Sequence, residues 1–234
     1  GYGGAGPYPQ CFENLNFEEK VIAAQSKEKQ FLNQATKYID EIKPDYYLPF
    51  AGTYTLTGKL SNLQNLRGVS NIDNAYTFFE KYYLSKNLSD KIKPLKLNPE
   101  STFDLSTKEY DRGYKKINQD VYNLYIAEKL NNKLLSYEKD ELPSFDEIYE
   151  LSKKAHQKFL DKNLINNVNL KSDMFIKVNG KSLMLGVDKN LSVVNSEEID
   201  KKSKKYVCYE TDIRLLKRLL VGPRFAHWNN AEIG

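Results

Sequence analysis

Between residues 145 and 194 the spacing of apolar side chains changes from near four to two, and few folds accommodate that change. Ile148, Leu151, Ala155 and Phe159 recur at helical intervals behind Ser144 and Glu147, which have the spacing of a capping box. Met174, Ile176 and Val178 then alternate, Asn179-Gly180 suits a type I′ turn, and Leu183, Leu185 and Val187 alternate back. Asp188-Lys189-Asn190 turns into a strand over Leu191–Val194, and a fourth strand is predicted over Tyr206–Tyr209. Thr211 or Asp212 then caps a closing helix through Ile213, Leu216 and Leu220, stopped by Gly222-Pro223. A further helix over 117–136, with Val121, Leu124 and Tyr125 on one face, precedes this stretch. The sum is a small α+β domain of two helices, an antiparallel meander and a last helix.

The first half follows a different plan. Residues 1–13 carry four glycines and two prolines, a composition that forces a tight irregular loop. A long helix is predicted from Phe17 to Ile42, with Phe31, Ala35, Tyr38, Ile39 and Ile42 as its stripe, and Pro44 ends it. Asp45 to Phe50 reads as a short buried strand leading into Ala51-Gly52-Thr53-Tyr54, and 73–86 as an aromatic-rich helix. Segments 92–97 and 102–105 flank the turn Asn98-Pro99-Glu100-Ser101 and predict a strand–turn–strand. The polar stretch 106–116 marks a boundary, giving a layered α/β domain over 1–113 and the α+β domain over 114–234.

Charge narrows the partners. Thirty-five Lys+Arg stand against 31 Asp+Glu, but the lysines are spread out. The densest run, Lys201 to Lys205, follows Glu197, Glu198 and Asp200 and reads as a solvated loop, so no nucleic-acid partner is expected. No apolar run approaches eighteen residues and no signal segment opens the chain, so neither a membrane span nor export is expected and the location is read as cytoplasmic. Cys11 and Cys208 read as buried thiols rather than a bridge. The chain opens at Gly1 inside a glycine-rich loop and closes on Ile233-Gly234, which suggests a piece of a longer protein.

Catalysis needs groups that titrate, attack or hold a metal, and the chain offers few. His156 sits in the lysine-rich run 153–156 and reads as an exposed helix position; His227 precedes Trp228 and reads as packing against that ring. There is no His-x-His, Cys-x-x-Cys or His-Glu-x-x-His, so no metal site or cofactor is expected from this chain alone. Gly3-Gly4-Ala5-Gly6-Pro7 lacks the Gly-Lys-Ser/Thr of a phosphate-binding loop and reads first as a tight turn, although its backbone amides are able to hold an anion. No Gly-x-Ser-x-Gly elbow occurs. The 17 tyrosines, spread along the chain, read as packing.

Several segments taken together resemble a known family. Tyr2-Gly3-Gly4-Ala5-Gly6-Pro7-Tyr8-Pro9, the helix ending at Lys43-Pro44 and the block Leu48-Pro49-Phe50-Ala51-Gly52 resemble the later part of the metallo-β-lactamase-fold domain of CMP-N-acetylneuraminate hydroxylase and its bacterial relatives. Asn98 to Leu105 is similar to a further block of that family, and Asp212 to Gly222 with Trp228 and Ile233-Gly234 to its C-terminal region. The resemblance implies the C-terminal half of a metallo-β-lactamase-like αββα layer over 1–113. It also implies a parent whose His-x-His-x-Asp-His motif, and in the hydroxylase an iron–sulfur module, lies upstream of Gly1. Zinc or iron would then be bound by upstream residues, and the missing N-terminal part of the parent becomes the first expected partner. Thr53 to Thr57 offers no histidine where relatives often place a late ligand. Carried over residue by residue, Gly3, Gly4, Ala5, Tyr8, Pro9, Pro49, Phe50, Ala51 and Gly52 become the wall of a substrate pocket. The second half resembles a sterol-carrier-protein-like fold, in topology only.

Two functions are therefore expected. In the first, the parent is a metal-dependent hydrolase or oxygenase acting on a sugar nucleotide or related phosphorylated substrate, and this chain by itself is catalytically silent. In the second, the C-terminal α+β domain is a non-catalytic module that binds an apolar ligand or a protein partner. Half of a sandwich leaves apolar faces uncovered, so self-association or partial disorder of residues 1–110 is also expected.

Overall fold

A computed structural model describes residues 3–4, 6–50, 54–168, 172–186, 191–199 and 206–222. The fold is mixed α/β and divides into two compact units, Gly1–Lys133 and Leu134–Gly234.

In the first unit, α1 (Phe17–Ile42) begins at a capping box in which the Asn16 side chain and Glu19 satisfy each other's backbone N–H groups. It ends where Lys43 turns left-handed (φ 49°), ahead of Pro44. Its buried face is Leu32, Thr36 and Ile39, with Ala35 half-buried. Tyr38 and Ile42, placed on the stripe from sequence, are 59% and 72% exposed. The reason is the neighbour: α2 (Ile72–Ser85) presents Ala75, Phe79 and Tyr83 to Leu32 and Ile39, so the apolar seam runs along that edge of α1.

The two-residue strands β1 (Tyr46–Tyr47) and β2 (Lys93–Pro94) pair in parallel, with α2 in the crossover between them. Tyr47 then meets Phe79 edge-on at 5.4 Å, closing the core from the strand side. The expected hairpin between 92–97 and 102–105 does not form. The predicted turn is present, with Ser101 N–H donating to the Asn98 carbonyl. Beyond it, however, β3 (Phe103–Asp104) pairs antiparallel with β4 (Glu109–Tyr110) instead. Asp104 directs that choice: its carboxylate accepts the N–H groups of Ser106 and Thr107 and folds the polar stretch back on itself.

The boundary between units lies at 133/134 rather than 113/114. α3 (Gln119–Tyr125) and the π-turn Ile126–Leu130 are tied to the first unit by two side-chain bonds, Thr55 Oγ1 to Tyr122 Oη at 2.8 Å and Ser61 Oγ to Asn131 Oδ1 at 2.5 Å. The helix predicted to Ser136 therefore stops early, and Val121, Leu124 and Tyr125 are exposed.

In the second unit, α4 (Phe145–Ile165) starts at Ser144, whose hydroxyl accepts the Glu147 N–H at 3.1 Å. Its buried residues, Ile148, Ser152 and His156, follow one another four apart. His156 is thus 4% exposed, against the exposed position read from its lysine neighbours. Strands β5 (Asp173–Val178), β6 (Lys181–Leu185) and β7 (Leu191–Asn195) form the expected meander, with Asn179 and Gly180 both at positive φ (47° and 76°) in the first turn. The fourth strand departs from it. The chain leaves β7 through the short helix α5 (Ser196–Ile199), and β8 (Tyr206–Glu210) joins the opposite edge, parallel to β5. β8 therefore runs in the same direction as β7 and β5, an arrangement that needs a crossover and that a tight hairpin turn cannot give.

α6 (Ile213–Val221) is capped by Asp212 and closed by Gly222. Together with α4 it covers one sheet face through Ile148, Ile176, Val178, Leu183, Ile213 and Leu216, all buried. The lysine run 201–205, the turn 188–190, His227 and Trp228 lie outside the described residues. No helix among the described residues is long and apolar enough to cross a membrane.

Candidate functional site

A large concavity lies within the first unit. It is a cleft of about 1390 Å³ bounded by α1, the segment after β1, the 3-10 stretch Gly58–Leu66, the start of α2, the 97–101 loop and α3.

Glycine lets the 3-10 stretch approach α1. Gly68 has φ +64°, and a Cβ on it would fall 2.8 Å from the Ala24 carbonyl oxygen, so no other residue fits without moving backbone. Lys27 secures the approach: its ammonium donates to the Arg67 carbonyl at 2.9 Å and to the Tyr8 carbonyl at 2.6 Å. Burial lowers its pKa from the ordinary lysine value. Arg67 Nε donates to the Gln64 carbonyl at 2.6 Å, and the guanidinium lies 5.3 Å from the Tyr54 ring centroid. Burial in turn pushes the Tyr54 phenol up.

The rim toward α2 is set by Asn71, whose side chain caps the helix through the Asn74 N–H at 2.8 Å. Next to it Asp73 bonds Lys96 Nζ at 3.1 Å through one oxygen and accepts the Tyr114 hydroxyl at 3.3 Å through the other. Lys96 in turn sits over the rings of Tyr76 and Tyr114, at 4.2 and 5.0 Å from their centroids.

The residues singled out from sequence divide into two groups. Pro49 and Phe50 stand on the cleft wall, and Phe50 is 61% exposed there. The glycine loop has a packing role: Gly4 lies on the Phe31 ring, leaving no room for a Cβ, Pro9 is buried, and Tyr8 meets Phe12 edge-on at 4.9 Å. Gly3 is half-buried. None of these four is among the residues lining the cleft. Ala5, Ala51 and Gly52 lie outside the described residues. The amides of the wall belong to no recognised motif, although five of them (Asn62, Gln64, Asn65, Asn71 and Asn74) fall within thirteen consecutive residues. That density was the available signal.

Among the described residues no three His, Cys, Asp or Glu side chains converge as a metal site. His156 is occupied elsewhere, with Nε2 3.2 Å from the Gly186 carbonyl and its ring stacked on Phe159. Both cysteines are half-buried, and burial raises the Cys11 pKa. The cleft is therefore equipped to bind and orient, with amides, aromatic faces and a few fixed charges. No family model, no curated protein and no solved structure matches the chain.

Proposed function

We propose that the first unit supplies one wall of the substrate cleft of a metallo-β-lactamase-fold protein acting on a sugar nucleotide or a related phosphorylated substrate. The observation that carries this reading is the position of Pro49 and Phe50. These residues of the Pro-Phe-Ala-Gly block, which the resemblance implies as pocket wall, line the cleft of about 1390 Å³ in the first unit. The parallel β1–α2–β2 unit beneath them is in keeping with a layered α/β domain. In this reading the chain's own residues bind and orient, and a metal, where the parent holds one, is bound by residues outside those described.

The alternative, an apolar ligand held between the C-terminal sheet and its last helix, has less support. Ile148, Leu183, Ile213 and Leu216 occupy that space and are almost completely buried. The sterol-carrier-protein-like reading of this unit thus rests on sheet-and-helix topology alone.

Calorimetric titration with a panel of nucleotide-linked sugars tests the proposal. Phe50→Ala should weaken binding about tenfold, the equivalent of about 1.4 kcal/mol. Leu164→Ala, on an exposed position of α4, should leave it unchanged. Equal affinities for both variants and the parent chain would remove the cleft from the account.

A further inference from the structure

The charges of the cleft cancel. The lining carries two carboxylates, Glu28 and Asp73, and two cations, Arg67 and Lys116. Asp73 is paired with Lys96 and Tyr114, whereas Arg67 keeps its charge and directs Nε at the Gln64 carbonyl beside the Tyr54 ring. A phosphate calls for converging cations or backbone donors to replace its hydration. On this lining one exposed lysine and one half-buried arginine are matched by two carboxylates, so no excess of cations collects there.

Uncommitted amides are what it offers instead. Gln25, Asn62, Asn65 and Asn74 line the cleft with no side-chain hydrogen bond to the protein, each bringing two N–H donors and a carbonyl acceptor. They come from three different stretches (α1, the 3-10 segment and the first turn of α2) and open onto one concavity. Phe50 adds an exposed apolar ring beside them. Paired donors and acceptors around an aromatic face match a ligand that is itself both donor and acceptor along one edge and C–H-rich on its face.

We infer that the part of the ligand met by this wall is uncharged and hydroxyl- or amide-bearing, a glycosyl unit, and that phosphate is held away from it. The inference rests on the cleft reading above and specifies which end of the substrate that cleft takes.

Side-chain amide NMR on the whole chain tests it, with methyl glycosides of glucose and N-acetylglucosamine as one arm, inorganic phosphate as the second and a nucleotide-linked sugar as the third. The expected result is saturable shifts at Asn62, Asn65 and Asn74 with a glycoside, reproduced by the nucleotide-linked sugar and not by phosphate. Glycoside affinity should be insensitive to salt between about 50 and 500 mM, because no ion pair is made. Asn65→Ala should weaken it about five- to tenfold, as loss of one hydrogen bond does. Shifts with phosphate and none with the glycosides would overturn the inference while leaving the cleft as a substrate site. Silence of these amides in all three arms would overturn both.

Discussion

Lys27 donates a hydrogen bond to the carbonyl of Arg67, forty residues away, and with the same ammonium holds the carbonyl of Tyr8. One side chain thereby joins α1, the glycine loop and the end of the 3-10 stretch that walls the cleft. Lys27→Met keeps the length of the side chain and leaves both carbonyls without this donor. It should cost about 1–2 kcal/mol in urea denaturation and speed amide exchange over residues 6–12 and 64–70. An unchanged midpoint would show the clamp to be dispensable.

Gly68 permits the same approach through its backbone. Gly68→Ala combines a left-handed φ with a Cβ 2.8 Å from the Ala24 carbonyl oxygen, and backbone cannot yield as a flexible side chain does. Destabilisation of about 2–3 kcal/mol is expected. Gly6→Ala, whose Cβ would meet nothing within 4 Å although its φ is +154°, should cost less in the same experiment.

Phe79 closes the core of the first unit. Its ring is almost fully buried between Tyr47 and Phe78, edge-on to both. Phe79→Ala should lower stability by about 3–5 kcal/mol, whereas Phe79→Leu, which refills most of the volume, should cost distinctly less. A thermal melt of the two variants beside the parent chain distinguishes these outcomes.

Asp140 gives the second unit a pH dependence. Arg218 bonds both its carboxylate oxygens, at 2.5 and 2.7 Å, and holds its pKa below the usual carboxylate value. A lowered folded pKa means that the unfolded chain takes up the proton more readily. The stabilisation is thus fully present above the unfolded pKa near 3.8 and is lost as pH falls through the lower folded value. Denaturation midpoints of the parent chain and Asp140→Asn should differ at neutral pH and converge in acid, once pH has fallen below the lowered folded pKa. A difference that grows on acidification would reverse the assignment.

Turn and cap signals that act within a few residues are legible in the sequence, and pairings between distant segments are not. The boundaries of α1 and of the β5–β6 hairpin follow from Pro44, Asn16 and Asn179-Gly180, features that act within a few residues. Which face of α1 is buried depends on α2 supplying Phe79 and Tyr83, and which edge β8 joins depends on a crossover. Neither is written in a local period. The charged neighbours of His156 suggest solvent, while the four-residue steps from Ile148 and Ser152 place it on the inner face. At the cleft, Pro49 and Phe50 came from the resemblance. The amides came from the structure, since exposed Asn and Gln become a wall only when α1, the 3-10 stretch and α2 are brought together.

The most direct test of the cleft as the seat of recognition is hydrogen exchange by mass spectrometry, with and without a saturating nucleotide-linked sugar. The account predicts slower exchange in the peptides covering residues 54–74 and 116–126, with no change over 173–186 and 206–221. Protection confined to the C-terminal sheet and its last helix would contradict it.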